Sequence, residues 1–289
     1  MSSLWKLVGD VIPDDHSRQV SAYDLARHEM ERPDAPATVL DLGCGDAASA
    51  RVFRGVRPDV RWVGLDIAEN AAARAVTSEE VVLYDGVTFP MATGSIPLIY
   101  SRQVFEHVRY PERVLAEIAR VLTPGGIFIG STSHLEPYHE YSLWNYTPYG
   151  FRVLVEAAGL ELLEIRPGPD GPALITRAFE GRLPEHGGWF TGESPLNAEI
   201  DAWGRETGRR PALVNLRKLE FCGHFGFRVR KPSDWRPSVP QRESWWQRLL
   251  GARLERRVRE AVKRIPGARP AVAAVRRRTA GHVHGSRHP

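Results

Sequence analysis

Cysteine, long apolar runs and internal repeats are scarce or missing in this chain of 289 residues. Its two cysteines, Cys44 and Cys222, form no disulfide framework, and neither has His or Cys neighbours at the spacing of a zinc site. The absence of a run of about 18 apolar residues argues against a membrane-spanning helix. Residues 1–6 lack the apolar core of a signal peptide. We therefore expect a protein of the reducing cytoplasm.

Acidic residues are few in the last part of the chain. Residues 232–289 hold 14 Arg and Lys against 4 Asp and Glu, whereas the preceding 231 residues hold 25 basic and 31 acidic side chains. Prolines at 232–240 predict a linker, and apolar residues at three- and four-residue intervals predict a basic amphipathic tail over 241–289.

Such a tail has three candidate partners: its own acidic domain, a second subunit, or an anionic membrane surface. Nucleic acid is not expected as a partner, because the body of the chain is acidic. The sequence leaves the oligomeric state open.

The most informative stretch is an apolar strand that runs directly into a glycine turn, TVLDLGCGDA at 38–47. Gly43 and Gly45 permit a sharp bend and the close approach of a ligand. Asp66 ends a second apolar run 23 residues after Gly43, where a carboxylate can accept hydrogen bonds from both hydroxyls of a ribose. The pattern predicts an adenosine-containing cofactor, although the turn alone also fits the dinucleotide pattern G-x-G-x-x-A or a turn without a ligand.

Further features favour S-adenosylmethionine over a dinucleotide. Asp41 lies two residues before the first glycine, where a carboxylate suits an amino group but would repel a pyrophosphate. A third apolar run ends in Asp85 and Gly86, where the adenine amino group could be bound. The stretches LIYSRQVFEHV at 98–108 and LTPGGIFI at 122–129 follow.

Taken together, VLDLGCGD, VGLD, YDG, QVFEHV and LTPGG resemble the motifs of class I S-adenosylmethionine-dependent methyltransferases, in the broad type-11 and type-23 group of small-molecule enzymes. The resemblance covers residues 20–166 and implies S-adenosyl-L-methionine as the cofactor. It departs from the group at Ala47, in place of a third glycine, and at Ile96-Pro97, which predicts a distorted start of the fourth strand. The cofactor-binding residues that it implies are Asp41, Gly43, Gly45, Asp66, Ile67, Asp85, Gly86, Ser101 and Gln103.

Strands and helices alternate along the chain, which predicts an α/β fold with a Rossmann-like, doubly wound sheet of seven strands. The resemblance implies that the last strand, predicted at 221–230, runs antiparallel beside the sixth. We expect a methyltransferase domain at 1–231, with an insertion at 167–220 before the last strand that caps the acceptor. Two helices are predicted in this insertion, and Gly125-Gly126 is expected to stop the helix at 111–121.

The chemistry is expected after the fifth strand, in STSHLEPYHEYSLWNY at 131–146. A hydroxyl acceptor must lose a proton during methyl transfer, and histidine is a suitable base near neutral pH. His134 and His139 are the first candidates, and His107 in FEHV is the next, although it could instead be a hydrogen-bonded structural histidine.

Three aromatic residues of the same segment are candidate acceptor-binding residues, but two of them could equally pack the segment onto the sheet. The candidates are Tyr141, Trp144 and Tyr146, and packing is the alternative for the last two. Glu136, His139 and Glu140 could coordinate a metal, but they lie on an irregular segment, so no metal is predicted.

The sequence thus predicts an O-methyltransferase for a polar small molecule, with a hydroxyl of a sugar or glycosylated natural product as the expected acceptor. Two alternatives stay open. One is a lipid-linked acceptor that the tail reaches at the membrane surface, and the other is a cofactor-binding scaffold without turnover.

Overall fold

Seven strands form one sheet in the computed structural model, which describes residues 3–76 and 80–236. The strands are β1 (Thr38–Leu42), β2 (Arg61–Ile67), β3 (Val81–Tyr84), β4 (Ile96–Arg102), β5 (Leu122–Ser133), β6 (Glu161–Pro167) and β7 (His224–Arg230). Their order is β3-β2-β1-β4-β5-β7-β6, and β7 is antiparallel to both β5 and β6. The other neighbours are parallel. The predicted doubly wound, Rossmann-like sheet is confirmed.

Helices connect the strands. They are α1 (Ser3–Val8), α2 (Ala22–Met30), α3 (Ala48–Val56), α4 (Ala71–Ala75), α5 (Pro111–Val121), α6 (Pro148–Ala157), α7 (Gly171–Phe179), α8 (Gly188–Thr191), α9 (Pro195–Glu206) and α10 (Pro211–Phe221). Three short 3-10 turns also occur in the described residues, and one of them, Phe105–His107, follows β4. Proline occupies the first turn of α5 and α6, where the missing N–H costs no helical hydrogen bond.

The sheet is buried on both faces, which explains why β1 reads as a nearly continuous apolar run. Successive residues of a strand point to opposite faces. Val39 accordingly belongs to one apolar cluster, together with Leu98 and Ile129, whereas Leu40 belongs to a second cluster, together with Phe128.

Some local predictions were wrong. The helix predicted at 111–121 is confirmed as α5, but Gly125-Gly126 does not end it, because Pro124 disfavours a helical conformation at the residue before it and the chain enters β5 at Leu122. The Gly- and Pro-rich segment after β6 leads into α7, whose N-cap Asp170 accepts a hydrogen bond from the Ala173 amide at 2.7 Å. The distortion expected at Pro97 is present as a register shift between Ile96 and Leu98.

Buried polar groups fix the insertion between β6 and β7 to the rest of the domain. Lys218 in α10 is fully buried, and its ammonium group donates to the Glu193 carboxylate (2.9 Å), the Asp201 carboxylate (2.8 Å) and the Ser17 carbonyl (2.7 Å). The Gln19 side-chain oxygen accepts from the Asn197 amide at 2.8 Å. Because the buried ammonium is fully paired, these contacts hold α9, α10 and the N-terminal segment in one arrangement.

The chain divides into two units at residue 238. The described part of the predicted linker is packed, since the Trp235 indole donates to the Ala158 carbonyl at 3.1 Å and its ring lies 4.4 Å from the Lys231 ammonium. The remainder of the predicted linker and the predicted basic tail lie outside the described residues. Within the part of the chain that is described, no helix has the length and apolar content needed to cross a membrane.

Candidate active site

The glycine turn between β1 and α3 leaves its backbone open to a ligand. Gly43 has a φ of +76°, and a side chain there would collide with Val104. Gly45 has a φ of +53°, but a Cβ at this position would meet no atom within 4 Å. The first glycine is therefore required by packing, whereas the second keeps space free above the turn.

Asp66 joins this turn to the end of β2. Its Oδ2 accepts hydrogen bonds from the Gly45 amide at 2.7 Å and from the Asn70 side chain at 3.1 Å, and its Oδ1 accepts from the Ile67 amide at 2.7 Å. The Asp66 side chain is buried. It is therefore held in one orientation at the edge where the ribose is expected.

The other cofactor candidates lie at the carboxyl ends of neighbouring strands. Ile67 exposes apolar surface at the end of β2, and a Cβ on Gly86 would lie 3.5 Å from its Cγ2. Asp85 accepts hydrogen bonds from the Val87 and Thr88 amides, which lower its pKa. Ser101 is buried, and its Oγ has no hydrogen-bond partner among the described residues. The free space at Gly45, the apolar surface and this unpaired hydroxyl fit S-adenosylmethionine.

Asp41 faces the start of α3. It is buried and accepts a hydrogen bond from the Ser49 hydroxyl, which itself accepts one from the Trp62 indole at 3.0 Å. Burial raises the pKa of Asp41 to about 7. Its predicted contact with the methionine part of the cofactor stays a prediction.

Glu106 is the centre of a second cluster, on the acceptor side of the sheet edge. The side chain is fully buried, and its Oε2 accepts a hydrogen bond from the Thr132 hydroxyl at 3.0 Å. Its backbone carbonyl accepts from the Leu143 and Trp144 amides. Burial raises the pKa of the Glu106 carboxyl to about 7. Glu106 therefore connects the turn after β4 to β5 and to the segment that follows β5.

His139 lies between two carboxyl groups. Its Nε2 is 3.9 Å from Glu106 Oε1, and its Nδ1 is 3.9 Å from Glu136 Oε1 and 3.1 Å from the Pro137 carbonyl. The ring of His107 stands edge-on to it, with centroids 5.3 Å apart. Burial, and secondarily His139, lower the pKa of His107. The structure thus brings together His107 and His139, two of the three predicted bases.

Gln103 bridges the two carboxyl groups. In the amide orientation that satisfies both ends, its nitrogen donates to Glu106 Oε1 at 2.8 Å and to Glu136 Oε2 at 3.1 Å, while its oxygen accepts from Ser131 at 3.1 Å. Its backbone has a φ of +54°, an uncommon conformation for this residue type. Gln103, which was predicted to bind the cofactor, thus lies in the cluster around Glu106 and Glu136.

Two further histidines line this region. The backbone amide of His134 donates to the Gly223 carbonyl at 2.7 Å, and burial lowers the pKa of the imidazole. His224 in β7 has its Nδ1 4.0 Å from Glu136 Oε2, and burial lowers its pKa to about 4. A neutral imidazole is therefore expected at both positions at neutral pH.

The three aromatic candidates occupy different environments. Tyr141 is 88 % exposed. Trp144 is partly exposed and donates its indole N–H to the Val108 carbonyl at 2.9 Å. Tyr146 is only 7 % exposed, and its hydroxyl donates to the Phe105 carbonyl at 3.2 Å. The packing interpretation therefore fits Tyr146 better than acceptor binding, because its ring has almost no free surface.

Sequence reasoning gave no role to Glu106 and little to Glu136 and His224. Glu106 had a usable signal, since it follows β4 in FEHV at the edge where ligands bind in doubly wound sheets. His224 had none, because it is 85 residues away from His139 and only the antiparallel position of β7 brings it near.

Comparison with known proteins agrees with the fold and the glycine turn. Residues 40–130 match the family described as "Methyltransferase domain". An uncharacterized methyltransferase of Mycobacterium sp. (strain JLS) is 34 % identical over 145 residues, which cover 47 % of this chain and 54 % of that protein. A malonyl-[acyl-carrier protein] O-methyltransferase of Alcanivorax borkumensis is 37 % identical over 93 residues, or 30 % of this chain and 32 % of that protein.

The chain spans at most about half the length of the curated relatives it matches. A solved S-adenosylmethionine-dependent methyltransferase from Mesorhizobium loti aligns at 18 % identity and a TM-score of 0.44, over 73 % of this chain and 98 % of that one. The family match and the sheet order identify the domain: this chain carries a class I methyltransferase domain, the class that uses S-adenosylmethionine.

Proposed function

We propose that this protein transfers a methyl group from S-adenosylmethionine to a hydroxyl of a polar small molecule, with a sugar or glycosylated natural product as the acceptor class. The observation that carries the proposal is the position of His139, whose ring nitrogens lie 3.9 Å from the carboxyl groups of Glu106 and Glu136. An oxygen acceptor needs such proton-accepting groups, because its proton must leave as the carbon–oxygen bond forms. The O-methyltransferase name of the Alcanivorax borkumensis relative also supports oxygen as the methylated atom.

S-adenosylmethionine supplies an activated methyl group when it is bound. Asp66 and the open backbone at Gly45 would hold it, and Ile67 would cover the adenine. The acceptor proton would pass to this cluster, in which His139 lies between the Glu106 and Glu136 carboxyl groups. The insertion that contains α7 to α10 would exclude water from above, since a closed site favours displacement over side reactions.

The test is a binding measurement followed by an acceptor screen. Calorimetric titration of the full chain with S-adenosylhomocysteine is expected to show one site, and labelled S-adenosylmethionine with a panel of hydroxylated glycosides is expected to yield an O-methylated product. Tight binding of NADH instead of S-adenosylhomocysteine would overturn the cofactor assignment. Binding without turnover on any acceptor would favour the scaffold alternative.

A lipid-linked acceptor is a second candidate, and one observation favours it. Tyr138 and Tyr141 in the segment after β5, and Ile175 and Phe179 in α7, expose large apolar side chains, with Phe179 at 91 % exposure. Exposed apolar surface of this kind suits a membrane boundary. The basic composition of residues 241–289 would add attraction to anionic lipid.

Co-sedimentation with liposomes tests this second candidate. The full chain is expected to bind anionic vesicles more than neutral ones, and less in high salt, because added salt screens the attraction. A chain ending at residue 240 is expected to lose most of this binding while it keeps its affinity for S-adenosylhomocysteine. If neither protein binds vesicles, the lipid-linked acceptor loses its main support.

A further inference from the structure

We propose that Glu106, His107 and His139 bind a divalent transition-metal cation beside the acceptor. Each offers one ligand atom, and in the described part of the chain these three atoms all lie within 4.8 Å of one another. Two imidazoles and one carboxylate suit Zn²⁺, Fe²⁺ or Co²⁺ better than Mg²⁺, and they leave coordination positions open. Small side-chain rotations would bring all three atoms to about 2.0–2.2 Å from one ion.

The ligand side chains are held by outer contacts, as metal ligands usually are. Thr132 donates to the second oxygen of Glu106 at 3.0 Å. The Nδ1 of His139 lies 3.1 Å from the Pro137 carbonyl, which leaves Nε2 directed towards Glu106. The ring of His107 stands edge-on to that of His139, with centroids 5.3 Å apart. The Glu106 Oε1 atom also accepts from the Gln103 amide at 2.8 Å, and its second lone pair is the one that stays available to a cation.

The backbone directly after His139 has an unusual conformation at two residues. Glu140 and Tyr141 both have positive φ, at 41° and 57°, and neither is glycine. A left-handed conformation is unfavourable at such a residue. The two residues turn the chain directly after His139. Strain that is retained beside converging side chains points to a function.

A cation also accounts for the burial of Glu106. An ionised carboxylate in a fully buried position is unfavourable unless it is paired. Glu106 accepts hydrogen bonds from the neutral Thr132 and Gln103 side chains, and its recorded ion-pair partner among the described residues is the imidazole of His139, at 3.9 Å. A bound divalent cation would stabilise the carboxylate. The two imidazoles remain partly accessible, which gives the ion a route of entry.

The chemical role of the ion rests on the proposed function. The cation would bind the acceptor hydroxyl oxygen and lower its pKa, so that the O–H bond breaks and the proton passes to Glu136. The freed oxygen lone pair then forms the bond to the methyl carbon, while the C–S bond breaks and its electron pair returns to sulfur. In this scheme His139 acts as a ligand rather than as the free base.

The test measures the ion alone, without acceptor or S-adenosylmethionine. The full chain is stripped with a chelator and titrated with Co²⁺, followed by visible absorption, and with Zn²⁺, followed by calorimetry. One site with d–d bands typical of nitrogen and oxygen ligands is expected. His139→Ala and Glu106→Gln are expected to weaken binding at least about 100-fold, and Thr132→Val, which removes only an outer contact, about 10- to 100-fold.

His186→Ala is the matched control, because His186 is a buried histidine paired with the Glu180 carboxylate at 2.8 Å but lies outside the proposed site. It is expected to leave Co²⁺ affinity unchanged. If Glu106→Gln fails to fold, Co²⁺ binding is measured on His107→Ala and His139→Ala instead, because these two side chains are partly exposed. The proposal would be overturned if the parent protein bound no Co²⁺, or if both histidine variants bound Co²⁺ as tightly as the parent does. Neither result would affect binding of S-adenosylhomocysteine, which separates this proposal from the assignment of the cofactor.

Discussion

The cofactor side and the acceptor side of the sheet edge are assembled differently. On the cofactor side, the predicted groups other than Gln103 lie at or just after the carboxyl ends of strands, and the Gly45 amide donates to the Asp66 side chain of the adjacent strand. On the acceptor side, the turn after β4, the end of β5, the segment after β5 and the start of β7 all contribute to one cluster. The proposed cofactor site is therefore built from local motifs, whereas the proposed acceptor site is built by long-range assembly.

The strongest test of this comparison is His139→Ala. Turnover on the acceptor found by screening is expected to fall about 10²- to 10⁴-fold, because the group that receives or directs the acceptor proton is lost. Affinity for S-adenosylhomocysteine should stay unchanged, since Asp66 and Gly45 are untouched. The measurements are steady-state kinetics and calorimetry.

His134→Ala provides the comparison for that variant, because His134 lies on the same segment. A smaller effect is expected, since His134 lacks the carboxyl neighbours recorded for His139. If both variants keep near-parental turnover, the predicted base is wrong and His107 becomes the next candidate.

The next largest effect is expected from Lys218→Met, which breaks the anchor of the insertion. Removal of the ammonium leaves the Glu193 and Asp201 carboxylates without their buried partner, so the free energy of unfolding should fall by about 3–5 kcal/mol. Urea denaturation followed by circular dichroism measures this change. Arg217→Ala, an exposed neighbour in the same helix, should change stability by less than about 0.5 kcal/mol. A neutral result for Lys218→Met would show that the insertion is held by packing alone.

On the cofactor side, Asp66→Ala should weaken S-adenosylhomocysteine binding by about 1–3 kcal/mol, since it removes a charged acceptor from the ribose hydroxyls. The same change also removes the hydrogen bond to the Gly45 amide. Asn70→Ala separates the two effects, because Asn70 donates to Asp66 without being a predicted ribose contact. Calorimetry on both variants is required, and unchanged affinity in a folded Asp66→Ala protein would exclude the ribose assignment.

Gly45→Ala is expected to destabilise the fold less than Lys218→Met does, because no described atom lies within 4 Å of the added methyl group. The positive φ should cost about 1–2 kcal/mol of stability. Affinity for S-adenosylhomocysteine should fall, since the methyl group occupies the space kept free above the turn. Gly43→Ala should destabilise the fold more, because its methyl group would collide with Val104. Thermal unfolding and calorimetry compare the two variants, and equal behaviour would show that the space above Gly45 is not used by the ligand.

Several features could be predicted because they depend on neighbours in the sequence. Ser21 and Asp24 form a reciprocal cap at the start of α2, a local pattern of a serine followed three residues later by a carboxylate. Pro97 disturbs β4 locally, as its missing N–H requires. The helix α7 was missed, because its glycine and proline are typical of loops when the cap from Asp170 is not recognised.

The sequence by itself determined the strand and helix alternation, the glycine turn and the position of Asp66, because apolar periodicity and backbone conformation are local properties. Only the tertiary structure decided which polar residues meet. Glu106, His139 and His224 come together because β4, β5 and β7 are adjacent in the sheet, and no spacing in the chain encodes that adjacency. The burial that raises the pKa of Glu106, and the full pairing of Lys218, likewise exist only after the insertion and the sheet have packed.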